Sequence, residues 1–198
     1  MADMKRDPFL RWGWLTSLAS GLAWILVISL GRLSPDPDSW NCNSSWDYVL
    51  NAIEPVAFFL TAAAIWALYT GQRQHTSARY LRWAAVAGAA GAIGAGINNP
   101  IEHCANIEVM SLVLWVPAVS LWVLGLLLIG GLTLADRVLP AWAGAAVLIG
   151  LAGLLAAGEE SGFIIHGMAW IVVSLALWRS RPAASPSTAA KYSSTSGG

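Results

Sequence analysis

Six apolar stretches run along this chain, at approximately 12–32, 51–70, 83–101, 109–133, 141–158 and 161–178. Each is long enough to cross a bilayer, for which a helix needs ~20 residues, and strand-period alternation is absent, which disfavours a barrel. The fold class that follows is all-α: a polytopic membrane protein built as a six-transmembrane-helix bundle. Composition agrees, because only 11% of the residues are charged, against about 25% in soluble domains. Only the polar GEESG at 158–162 separates the last two stretches, so they form a tight hairpin. The first stretch lacks a small-residue cleavage site and reads as a retained helix.

Charge sets the orientation. With the N-terminus inside, the inner segments hold Lys5, Arg6, Arg11, Arg73, Arg79, Arg82, Arg137, Arg179, Arg181 and Lys191, while the outer ones hold only Arg32. That bias, on short connecting loops, places both termini in the cytoplasm. The expected organisation is a cytoplasmic N-terminus (1–11), a six-helix transmembrane domain (12–180) with an outer cap loop at 34–50, and a disordered cytoplasmic tail (181–198) rich in Pro, Ser and Ala. The expected location is a bacterial plasma membrane. Net charge is zero, so no overall field draws nucleic acid, and the partners expected are membrane lipids and a lipidic small molecule.

The acids concentrate at the outer side. Asp36, Asp38 and Asp47 read as solvated loop residues, whereas Glu54, Glu102 and His166 belong to helices. Residues 96–104 read GINNPIEHC, closing a third helix otherwise made of Ala and Gly. Small residues let backbones approach closely in lipid, which places this helix at the bundle's centre, with its polar end among other helices. Asn98 and Glu102 are four apart, as are Asn99 and His103, so each pair shares a helical face. Pro100 interrupts the backbone bonding near Ile97, for which buried amides are a common remedy. Polar side chains at membrane depth are costly and usually face a cavity or a partner.

Two other outer-end motifs are expected to converge there. NAIEPVAFF places Asn51 and Glu54 about one turn apart, and GEESGFIIHGMAW places Glu159, Glu160 and His166 near one helix end, with Trp170 four beyond His166. Glu102 and Asn98 should therefore share an interior cavity with Glu54 and at least one of Glu159, Glu160 or His166. Cys42 and Cys104 fall on the same, non-cytoplasmic side, where a disulfide is permitted; bridging them ties the first outer loop over the cluster. His103, His166, Glu102, Glu159 and Glu160 could form a carboxylate–imidazole metal site, but no cofactor and no resident metal is expected.

Twelve tryptophans stand in the chain. Trp12, Trp14, Trp83, Trp142 and Trp178 lie near inner ends, as interfacial belts require, while Trp24, Trp66, Trp115, Trp122 and Trp170 fall within the spans. Electron-rich rings inside a bundle suit a flat lipid or a cation. No phosphate loop, HExxH, CxxC, GxSxG or dinucleotide fingerprint occurs.

These features suggest an enzyme acting on a lipidic, isoprenoid-like substrate by acid–base chemistry, a proton-initiated cyclisation or isomerisation. Desolvation near the membrane boundary favours a carboxyl that can donate a proton. Glu54, Glu102 and Glu159 are the acid candidates, and His103 and His166 the bases or orienters. Asn51, Asn98, Asn99, Trp115 and Trp170 are the expected substrate contacts. In size, short-looped helices, paired acids and tryptophan content the chain resembles small integral-membrane terpene cyclases. The resemblance is one of composition and transfers no residue role. Two other classes fit the same residues: a non-catalytic accessory or sensor protein whose polar cluster packs helix ends, and a small transporter. The transporter needs polar groups toward the inner ends, where the sequence offers little beyond Ser and Thr.

Overall fold

The computed structural model describes residues 8–34, 42, 44–73, 77–105 and 111–180. The expected tail at 181–198, the loop residues 35–41 and 43, and Asp36, Asp38 and Glu108 lie outside the described residues. Six α-helices follow one another: α1 (Pro8–Arg32), α2 (Ser45–Thr70), α3 (Ala78–Ala105), α4 (Val116–Asp136), α5 (Ala141–Ala156) and α6 (Gly158–Arg179). A short π-helical turn, Ser111–Trp115, leads into α4, and no strand occurs among the described residues.

Four of these helices are long and apolar enough to cross a membrane: α1 from Trp12, α2, α4 with its preceding turn from Val113, and α6 from Ser161. The other two fall short for different reasons. α3 has 28 residues, but its glycines, Pro100 and two asparagines dilute its hydropathy. α5 has 16, which at ~1.5 Å per residue covers ~24 Å of a hydrocarbon core ~30 Å thick.

α2 begins at Ser45, so residues 45–50 of the expected outer segment are its first turns. Ser44 caps it. Its hydroxyl accepts from the Asp47 amide at 3.3 Å, and the Asp47 carboxylate accepts from the Ser44 amide at 2.7 Å, a reciprocal capping box. Asp47 is fully buried, so it is not the solvated loop acid that the sequence suggested. The S-x-x-D spacing carried that signal.

The helices close a ring. α1 packs on α2, α2 on α3, α3 on α4, α4 on α5, α5 on α6, and α6 returns to α1. α3 therefore holds one place in the ring and not the central one expected; its small residues serve two neighbours. Every seam contains a glycine at a close approach: backbone meets backbone at Gly125 (α3–α4), Gly144 (α4–α5) and Gly21 (α1–α6), and a neighbour's Cβ is nearest at Gly13 (α1–α2), Gly96 (α2–α3) and Gly150 (α5–α6). A Cβ on Gly21 would collide with the Gly167 carbonyl, and one on Gly125 with the Gly88 backbone.

Outside, large apolar side chains lie open on every helix, among them Leu26, Val56, Ile93, Leu127, Ile149 and Leu175. Inside are Ser17, Ser20, Asn51, Glu54, Thr61, Gln72, Asn98, Asn99, Thr133 and His166, all buried. A polar-bearing interior within an apolar exterior suits hydrocarbon as the solvent. Trp12, Trp83, Trp142 and Trp178, all near one end of the ring, are exposed, as an interfacial belt requires.

Candidate functional site

The site is built on the inward face of α2, where Asp47, Asn51, Glu54, Phe58, Thr61, Ile65 and Leu68 recur at three- and four-residue spacing and are all buried. At the capped end, Asn51 donates through Nδ2 to the Asp47 carbonyl at 2.9 Å. One turn further, Glu54 is 6% exposed and its Oε2 accepts from Asn99 Nδ2 of α3 at 2.6 Å. The adjacent Asn98, fully buried, donates through Nδ2 to Glu102 Oε2 at 2.8 Å. Consecutive asparagines at the end of α3 thus hold two carboxyl groups, one across the seam and one a turn along their own helix. The amides serve these carboxyls, not the backbone gap left by Pro100.

The disulfide closes this end. Cys42 and Cys104 are bridged with their Cα atoms 4.9 Å apart, and the Cys42 amide donates to the His103 carbonyl at 3.4 Å. That fixes the bridge directly beyond Glu102 and His103, both half-buried. Glu159 and Glu160 lie in the first turn of α6, but their side chains are outside the described residues.

Below the carboxyl groups the interior becomes aromatic. Phe58, one turn from Glu54, meets Trp24 edge-on at 4.8 Å, Trp122 at 5.2 Å and Trp115 at 6.2 Å between ring centroids. Trp24 stacks on Phe163 at 4.4 Å and runs nearly parallel to Trp122 at 6.3 Å. Trp24, Phe58, Trp122 and Trp170 are buried and Trp115 is half-buried. Four helices supply this cluster, and it fills the centre of the ring.

A polar pivot fixes Trp24. Its indole N–H donates to Thr61 Oγ1 at 2.9 Å, and Thr61 in turn donates to the Ala57 carbonyl at 2.8 Å. Because that spends the Thr61 proton, Ser20, 2.8 Å from the same oxygen, must be a second donor to it. Neither Ser20 nor Thr61 figured among the candidate residues. The sequence signal was the continuation of the Glu54–Phe58 spacing to position 61.

His166 is also in this layer, fully enclosed, with the edges of Trp122 and Trp24 at 5.3 and 6.1 Å. Trp170 Nε1 donates to its Nε2 at 2.9 Å, so a neutral ring carries its proton on Nδ1. Nδ1 faces the Gly150 backbone of α5 without a hydrogen bond of regular geometry. His166 is thus joined to the carboxyl end through Phe58 and the tryptophans, with no direct hydrogen bond to Glu54 or Glu102. Among the described residues, no three His, Cys, Asp or Glu side chains are grouped to hold a metal ion.

Compared with protein-family models, with curated proteins and with solved structures, the chain finds no match in any of the three. The functional reading therefore rests on the geometry.

Proposed function

We propose that the chain spans the membrane six times with both termini cytoplasmic, and that it converts a lipidic, isoprenoid-like substrate by proton-initiated cyclisation or isomerisation. The excess of Arg and Lys at one end and the disulfide at the other support the orientation. The exposed apolar belt supports the spans, including the short α5, which tilt or local thinning of the bilayer accommodates.

One observation carries the enzymatic reading: a buried carboxyl, Glu54, stands one helical turn above the close-packed aromatic side chains of Phe58, Trp24 and Trp122. In this reading Glu54 delivers a proton to an alkene or epoxide. The carbocation that forms is stabilised by the electron-rich rings of Phe58, Trp24 and Trp122, which together with Trp115 and Trp170 have to part to admit the substrate. Asn99 orients Glu54, and Asn98 orients Glu102. Glu102 or His103 then takes a proton from a neighbouring carbon, restoring the double bond, so the reaction needs no cofactor. Asn51 and His166 are positioning residues in this scheme.

Glu54→Gln preserves volume and the Asn99 partnership but removes the transferable proton. Lipid extracted with the purified wild type is expected to contain a rearranged isoprenoid, identified by mass spectrometry. The variant, equally folded, should hold the unrearranged precursor and turn over at least ~10²-fold more slowly. A variant carrying the same rearranged lipid at the same level refutes the role of Glu54. The closed Glu54–Asn99 and Glu102–Asn98 pairs also suit a second reading, a non-catalytic accessory protein. That reading gains if Glu54→Gln and Glu102→Gln leave the lipid unchanged but release a co-purifying protein.

A further inference from the structure

Between α2 and α3 the outer surface of the ring is hollowed. Phe59, Ala62, Ala63 and Trp66 of α2 and Ala89 and Ile93 of α3 line an open groove of about 460 Å³. The hollow follows from side-chain size: three alanines form its floor between larger neighbours. Phe59 and Ile93, both exposed, bound it toward the disulfide end. Trp66 bounds it at the other, braced by Tyr69 at 5.1 Å between ring centroids.

The groove runs toward a charge. Arg82 lies seven residues before Ala89 and eleven before Ile93, two and three turns of α3, so it stands on the same face and in line with the groove. It is exposed, as is Arg79 one turn nearer the end. At ~1.5 Å per residue, Arg82 is ~10 Å from the level of Ala89 along the helix. Tyr80 and Trp83, both exposed beside it, suit the depth of the membrane interface. The headgroup layer of one leaflet is roughly 5–8 Å deep. A guanidinium in that layer puts Ala89, and the groove beyond it, inside the hydrocarbon. The spacing of charge and hollow is that of a glycerophospholipid's phosphate and the upper part of its acyl chain.

A second copy of the chain fits less well. A two-fold dimer on this face, with both copies oriented alike in the membrane, sets Arg82 against its own copy, and like charges oppose the contact. A lipid anion supplies the opposite charge. On the proposed topology this end of the ring lies at the cytoplasmic leaflet, the one that carries a negative surface potential.

We propose that the α2–α3 groove and Arg82 form a binding site for an anionic glycerophospholipid, with one acyl chain in the groove, its phosphate on the Arg82 guanidinium and Arg79 adding charge. The site rests on the six-span reading, because it needs α3 in the bilayer, and it is separate from the chemistry assigned to Glu54.

The test reconstitutes the full chain in vesicles of equal parts phosphatidylglycerol and phosphatidylcholine, extracts it in mild detergent and identifies the retained lipid by native mass spectrometry. The wild type should retain phosphatidylglycerol in preference to phosphatidylcholine. Arg82→Gln should lower that preference about fivefold, the worth of one arginine at an anionic surface. Ala89→Phe, which fills the groove, should lose retained lipid of either kind, and Ala63→Leu takes its place if it does not fold. Equal retention of the two lipids by the wild type overturns the proposal, as does an unchanged preference in folded Arg82→Gln or retained lipid in a folded groove-filling variant. A lipid-free dimer that Ala89→Phe dissociates also overturns it and assigns the groove to a second copy. Ala90→Cys, at an exposed position next to Ala89, keeps the six-span reading distinct. A water-soluble maleimide that labels it in intact vesicles refutes that reading and this site with it; a protected cysteine without retained phosphatidylglycerol refutes this site alone.

Discussion

The α3–α4 seam makes the sharpest demand on the fold, and three glycine-to-alanine changes test it. A Cβ on Gly125 would overlap the Gly88 backbone and crowd the Ala84 carbonyl at 2.8 Å. Backbone cannot rotate aside, so the helices must separate, and overpacking of this kind costs about 1–3 kcal/mol. Seen from the other side the crossing is looser: a Cβ on Gly88 would meet Ile65 Cδ1 at 3.3 Å and Gly125 Cα at 3.4 Å. Small shifts absorb that, and the alanine gains about 0.8–1.0 kcal/mol of helix propensity, so Gly88→Ala should be close to neutral. Gly131 has nothing within 4 Å, and Gly131→Ala should show the propensity gain alone. Both positions are inside α4 and share that gain, so Gly125→Ala and Gly131→Ala should differ by the overpacking cost, about 1–3 kcal/mol. Reversible unfolding in mixed micelles with increasing SDS measures all three against the wild type. Gly125→Ala as stable as Gly131→Ala would mean that α3 and α4 do not cross at this point, and the ring order would fail with it.

Two further outcomes follow from the interior and from the charge distribution. Thr61→Val should leave the buried Trp24 N–H and the Ser20 hydroxyl without their shared acceptor, at about 1–3 kcal/mol for each orphaned group. Thr61→Ser should keep most of that stability, and equal losses in the same SDS titration would show that the oxygen is not the pivot. Tyr48 and Tyr80 are exposed near opposite ends of the ring, so single cysteines there report orientation. In intact cells an impermeant maleimide should label Tyr48→Cys and spare Tyr80→Cys, and the reverse pattern would invert the topology.

The helices were legible because hydropathy in lipid is a strong local signal. The stretches at 12–32, 83–101 and 161–178 sit inside α1, α3 and α6. The pairing of Asn98 with Glu102 was legible too, since i and i+4 share a face whatever the fold. The start of α2 was misjudged because Asp47 looked like a loop acid, when its spacing from Ser44 marked a cap. Ring order lay beyond reach: Gly and Ala on α3 say that neighbours approach closely, not how many there are. The Glu54–Asn99 contact, the Trp24–Thr61 pivot and the Gln72–Thr133 hydrogen bond all depend on which helices become neighbours. The sequence motifs alone could bring His166, Glu54 and Glu102 to the same end of the molecule. They could not foresee that Trp170 would donate to His166 Nε2 while Nδ1 turned toward the Gly150 backbone of α5.

The contact that closes the ring has a consequence for biosynthesis. Gly21 of α1 meets Gly167 of α6 almost backbone to backbone, so on the proposed six-span topology α1, made before α6, waits for α6 before its glycine face is covered. Until then, on that topology, α1 through α5 would form an open arc with one notch facing lipid. Lipid tolerates small apolar surfaces far better than water does, which lets the arc wait without aggregating. The polar pivot at Ser20, Trp24 and Thr61 needs only α1 and α2. An early hairpin can therefore satisfy its own polar groups, leaving only close packing for the arrival of α6.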